Sequence, residues 1–103
     1  LEERQRLAAD LGDKNLMLLR NHGTLALGRT VAEAFMRMYL LEWSCTVQVR
    51  AMSMGRPLHH PTPEAIEVVS TGARSPQMAA FAGELLWPAM LRKLDRIDPS
   101  YKD

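Results

Sequence analysis

Apolar positions change their spacing twice along this chain. From Glu2 to Leu11, the residues Leu7, Ala8 and Leu11 share one helical face and charges fill the rest, with Gly12 placed to end the helix. Asn15-Leu16-Met17-Leu18-Leu19 is instead a short apolar run, and its length predicts a strand buried on both faces. Asn21-His22-Gly23 interrupts the run, and Thr24 to Leu27 reads as a second strand ended by Gly28. Asn and Gly both tolerate positive φ, so a tight turn or kink is expected at Asn21–Gly23.

Helical spacing then returns. Thr30-Val31-Ala32-Glu33 is a capping box, in which the Thr30 hydroxyl accepts from the N–H of residue 33 and Glu33 reaches back to the N–H of Thr30. The helix it opens carries Val31, Ala34, Phe35, Met38, Leu41, Cys45, Val49 and Met52 at steps of three and four, and Gly55 and Pro57 stop it. Arg56 to Pro61 reads as a loop. Thr62-Pro63-Glu64 starts another helix that Gly72 ends, and Ser75-Pro76 repeats the start signal. The final helix is expected to run to about Asp95, with a kink or break at Trp87-Pro88. Asp98-Pro99 closes it, leaving Tyr101 to Asp103 as a short tail. The predicted order is helix, strand, strand, long helix, then two or three helices.

Two strands alone make a marginal sheet, so further strands are expected. The chain begins at Leu1 without an initiator Met, which predicts an N-terminal portion outside these 103 residues. A part-sheet with open edges and uncovered apolar surface is expected to self-associate.

Composition narrows the class. At 47% hydrophobic and 24% charged residues, the chain is of globular rather than disordered type. A net charge of +1 with dispersed basic residues gives no nucleic-acid footprint. No apolar stretch approaches the ~20 residues that cross a bilayer. The single Cys45 excludes an intrachain disulfide framework and fits a reducing compartment such as the cytoplasm.

His22 is the sharpest chemical candidate. It stands between two apolar strands beside a glycine, where a neutral imidazole could ligate zinc or another divalent metal. A histidine that only hydrogen-bonds within a turn gives the same pattern, and a catalytic zinc needs about three protein ligands where one is visible. His59 and His60 are adjacent in a Pro-rich loop and read as solvated. Cys45 reads as a core thiol. Glu42 could bond to the sheet or to the surroundings of His22, or make pairs on the helix surface. Arg20 would share the face of His22 if the strand is regular. Arg92, Lys93 and Arg96 suit the negative end of the last helix, and the seven Met residues read as core filler. There is no phosphate loop and no nucleophile elbow.

The stretch Leu18-Leu19-Arg20-Asn21-His22-Gly23-Thr24-Leu25-Ala26-Leu27-Gly28-Arg29-Thr30-Val31-Ala32-Glu33-Ala34-Phe35 resembles the class II aldolase/adducin family. Leu40-Leu41-Glu42-Trp43-Ser44-Cys45 resembles the continuation of that family's long helix, and Leu91 to Tyr101 the C-terminus of a bacterial adducin-like branch. The resemblance implies a three-layer α/β/α fold, of which residues 1–103 would be the C-terminal portion. It implies that His22 matches the last of three metal-binding histidines. The other two, in a His-x-His motif, and the catalytic acid would lie upstream, so catalytic and substrate-binding residues are not assigned within this chain.

Two functional expectations follow from the resemblance. The parent protein is a metal-dependent lyase or epimerase acting on a small hydroxy-carbonyl, sugar-phosphate-like substrate. Its divalent metal is expected to be zinc, and it is expected to be a cytoplasmic homo-oligomer without nucleic-acid or membrane partners; the present chain alone would be inactive. Alternatively, the protein is an adducin-like binding or structural module that keeps the fold without catalysis.

Overall fold

The computed structural model describes residues 2–102. Asp103, assigned above to the tail, lies outside them. The chain divides into two compact units, residues 1–55 and 56–103.

The first unit holds helix α1 (Glu2–Leu11), strands β1 (Leu16–Leu19) and β2 (Gly23–Ala26), and the long helix α2 (Val31–Ser53). The strands form an antiparallel hairpin in the register Leu16↔Ala26, Met17↔Leu25, Leu18↔Thr24 and Leu19↔Gly23. A further bond from the Leu27 N–H to the Asn15 carbonyl, 2.8 Å, extends the ladder at its open end. Helix α2 packs chiefly against β2 and less against β1. The expectation that β1 is buried on both faces is therefore corrected. Cross-strand partners point to the same face, yet Leu18 is 64% exposed while its partner Thr24 is half-buried, because α2 lies over β2.

The start of α2 obeys the capping rule with one change. The Thr30 hydroxyl accepts from the Glu33 N–H at 3.2 Å, as expected, but the Glu33 carboxylate takes the N–H of Arg29, at 3.0 Å, in place of that of Thr30. Glu33 is buried, and the Arg37 guanidinium lies 3.6 Å from the same carboxylate oxygen. Gly28 makes this closure possible. A Cβ there would stand 2.5 Å from the Ala34 nitrogen and 2.8 Å from both the Glu33 Cβ and the Thr30 carbonyl, so only a residue without a side chain fits. The buried apolar residues of α2 are Ala32 and Met36, each 6% exposed. Of the predicted stripe, Ala34, Phe35, Met38, Leu41 and Cys45 are half-buried, while Val31, Val49 and Met52 are exposed. The hairpin reaches only the N-terminal half of the helix, from the side of Ala32 and Met36 rather than that of Val31.

The second unit is helical. Helix α3 (Pro63–Ala73) begins at the Thr62 cap, whose hydroxyl accepts from the Ala65 N–H at 3.3 Å. Helix α4 (Pro76–Ala80) begins at Ser75 in the same way, with Met78 as donor at 3.3 Å. A π-helical segment, Phe81–Leu86, joins α4 to α5 (Trp87–Ile97). The expected break at Pro88 is thus a widening. The Trp87 N–H bonds to the Ala82 carbonyl, five residues back. Pro88 has no N–H, and its ring crowds the carbonyl four residues before it in a regular turn; one extra residue in the preceding turn relieves this while the helix continues. The tail is a 3₁₀ turn, Pro99–Lys102, that folds back on α5. Asp98 caps it by accepting from the Ser100 N–H at 3.0 Å. The Tyr101 hydroxyl donates to Asp95 at 2.6 Å, and the Lys102 ammonium sits 2.7 Å from the same carboxylate oxygen.

Candidate functional site

His22 is the last residue of the hairpin turn. The turn is closed by its own N–H bonding to the Leu19 carbonyl at 3.3 Å, with Asn21 at φ 64° in the third position. That position of a type II turn requires positive φ, which Asn tolerates through its short polar side chain. Gly23 follows at φ 99°, so His22 stands between two left-handed residues. The imidazole is exposed and has no hydrogen bond or ion pair among the described residues. Arg20 also lies in the turn, outside β1, so the strand alternation expected to put it on the face of His22 does not apply.

The residue after Gly23 is fixed by α2. The Thr24 hydroxyl donates to the Glu42 carboxylate at 2.8 Å and lies 3.1 Å from the Met38 sulfur, one helical turn earlier. Glu42 therefore bonds to the sheet, the first of the roles considered for it. Beyond the other end of β2, the Arg37 guanidinium donates to the Leu27 carbonyl at 2.6 Å. Two clasps thus hold the hairpin against the helix, one near its turn and one near its open end. Sequence reasoning did not find Thr24. A polar residue in an otherwise apolar strand was its only signal.

The other candidates lie on other elements. Cys45 is a free, half-buried thiol on α2. His59 and His60 lie exposed in the loop before α3, in the second unit. Arg92, Lys93 and Arg96 are exposed on α5. Among the described residues, no three His, Cys, Asp or Glu side chains are grouped to hold a metal ion. The free ring of His22 fits a single coordination position, and the described residues do not complete a site around it.

Hydrogen bonds shift several ionisations in the second unit. The bond from Lys102, and then that from Tyr101, holds the Asp95 carboxyl below its ordinary range. Asp95 in turn pushes both the Tyr101 phenol and the Lys102 ammonium up. The Ser100 N–H lowers Asp98, and the Glu64 carboxyl is lowered by its own backbone N–H and then by Thr62.

Residues 1–49 match the profile of the family described as Class II Aldolase and Adducin N-terminal domain. A Caulobacter vibrioides protein named "Putative aldolase class 2 protein" is 48% identical over 103 residues, covering 100% of this chain and 40% of that protein. Rat beta-adducin is 32% identical over 92 residues, 80% of this chain and 13% of the relative. The crystal structure of an aldolase II superfamily protein from Pseudomonas syringae superposes with a TM-score of 0.82 at 40% identity, over 100% of this chain and 41% of that one. The chain belongs to the class II aldolase and adducin family. It spans about two fifths of the length of the bacterial relatives it matches, 40% in the Caulobacter protein and 41% in the solved structure. Among the described residues, no helix is long and apolar enough to cross a membrane.

Proposed function

We propose that these residues are part of a divalent-metal-dependent lyase or epimerase of aldolase type, acting on a small hydroxy-carbonyl compound of sugar-phosphate kind. The observation that carries this reading is His22, an exposed imidazole with no partner of its own among the described residues, held between two left-handed residues at a hairpin turn. In this reading His22 donates one ligand, and the remaining ligands and the proton-transferring acid come from outside these residues. A divalent ion bound there would act as a Lewis acid on the substrate carbonyl. Zinc suits an imidazole ligand, and the reading extends to a homo-oligomer in the cytoplasm. The exposed apolar residues Leu18, Trp43 and Val47 support association, and the lone cysteine supports a reducing compartment.

The test is metal analysis of the intact protein. His22→Ala is expected to lower zinc affinity at least a hundredfold while the far-UV circular dichroism is retained. Full zinc occupancy in that variant would remove His22 from the site. The likeness to beta-adducin favours a second reading, a non-catalytic binding module. An intact wild-type protein that binds neither zinc, manganese nor cobalt with micromolar affinity would decide for it.

A further inference from the structure

We infer that Thr24 and Glu42 are positioning residues for His22: their hydrogen bond ties the turn end of the hairpin to α2 and so fixes where the imidazole is presented. The inference rests on the reading of His22 as a metal ligand.

Within the hairpin, His22 is held by local features alone: the 3.3 Å bond from its N–H to Leu19, Asn21 at φ 64° and Gly23 at φ 99°. These set the shape of the turn but not its place relative to the helix. Among the described residues, the hairpin segment is hydrogen-bonded to α2 at Thr24 and at Leu27. The Leu27 clasp lies past the far end of β2, as the register Leu16↔Ala26 requires. With that clasp alone the hairpin could pivot about its open end, and His22, at the opposite end, would move furthest. Thr24 removes this freedom, because Gly23 is the only residue between it and His22. Its hydroxyl meets two groups one helical turn apart on the same face of α2, the Met38 sulfur at 3.1 Å and the Glu42 carboxylate at 2.8 Å. The single hydroxyl proton goes to the carboxylate, the stronger acceptor. A ligand must be aimed closely to coordinate, so loss of the groups that orient ligands typically lowers metal affinity 10–100-fold. Thr24 is half-buried and Glu42 exposed, so the same loss leaves the fold nearly intact.

The experiment measures cobalt(II) and zinc affinity of the intact protein and thermal unfolding of its metal-free form. Thr24→Val, Glu42→Ala, the conservative Thr24→Ser and His22→Ala are compared with wild type. Thr24→Val and Glu42→Ala are each expected to weaken affinity about tenfold or more, with Thr24→Ser within about twofold of wild type and little change in unfolding temperature. If His22→Ala abolishes binding while Thr24→Val and Glu42→Ala leave it unchanged, the positioning role is overturned and His22 remains a ligand. If His22→Ala binds as well as wild type, the ligand reading fails, and the positioning role with it. A Thr24→Ser variant as weak as Thr24→Val would also overturn the inference, since the hydroxyl would then not be the operative group.

Discussion

The two units of this chain start their helices with the same devices and bury very different things. Thr30, Thr62 and Ser75 each cap a helix by accepting from the N–H three residues on. In the first unit the capped helix meets a hairpin, and Ala32, Met36 and the Glu33 carboxyl are buried. In the second, among the described residues, only Ala82 is buried, at 0% exposure, while Ile66, Val68 and Val69 of α3 stay open. Local signals start a helix with or without a core to receive it. What separates the units is whether a distant segment arrives to cover the apolar face.

The two units should respond oppositely to a methyl group added at a glycine. Gly28→Ala forces a Cβ into backbone atoms of the α2 cap and is expected to cost about 3 kcal/mol in urea denaturation. Gly72 of α3 has nothing within 4 Å of the corresponding position. Gly72→Ala is therefore expected to stabilise by about 0.5–1 kcal/mol through helix propensity. A Gly28→Ala variant as stable as wild type would show that the cap is not closed as described. Next in size, Met36→Ala is expected to cost about 2 kcal/mol, the low end for a buried Met because the core is thin. Val68→Ala in the second unit should change stability by less than about 0.5 kcal/mol. Equal losses at the two sites, read from denaturation midpoints, would mean that Val68 is covered as fully as Met36.

The caps sharpen the contrast on a smaller scale. Thr30→Ala is expected to cost about 1 kcal/mol and Thr62→Ala less, since Thr30 accepts from the N–H of the buried Glu33 and Thr62 from that of the exposed Ala65. Amide hydrogen exchange in the first turn of each helix would rank them. The smallest effect is the pH response of the 3₁₀ turn. The folded value of Asp95 is depressed, so its contribution is present above its unfolded value near ~3.9 and is lost as the pH falls through the lower folded one. Those of Tyr101 and Lys102 are raised, so their contributions are present below about 10 and are lost as the pH rises through the folded values. The turn should therefore stay closed from about pH 4 to about pH 10. The Tyr101 ring resonances should report opening outside that window, and Asp95→Asn should loosen the turn throughout it.

The features legible in the sequence are those that a few neighbouring residues determine. Glu2–Leu11 as a helix, the Thr30, Thr62 and Ser75 caps and the left-handed Asn21-His22-Gly23 turn all follow from residue types in short windows. The exchange of Thr30 for Arg29 as donor to Glu33 was not legible, because it depends on how tightly Gly28 folds against the helix. Nor was the Thr24–Glu42 bond, which spans eighteen positions. The strand expected to be buried on both faces is half open because periodicity shows which side chains share a face, not whether anything covers it. The turn that carries His22 was legible from its flanking residues; among the described residues, no His, Cys, Asp or Glu side chains gather in threes that could hold a metal ion.

The π segment Phe81–Leu86 also resets the phase of the helix. One additional residue per turn advances the helix by about 100° of phase. Side chains of α5 that a regular helix would aim along the line of α4 are instead turned about a quarter of the way round the axis. A single hydrophobic stripe traced from Pro76 to Ile97 must therefore fall out of step at Pro88. The proline acts as an indexing stop, letting one continuous rod present one orientation before Phe81 and another after Leu86. Deleting one residue between them while replacing Pro88 with Ala should bring the two halves back into phase.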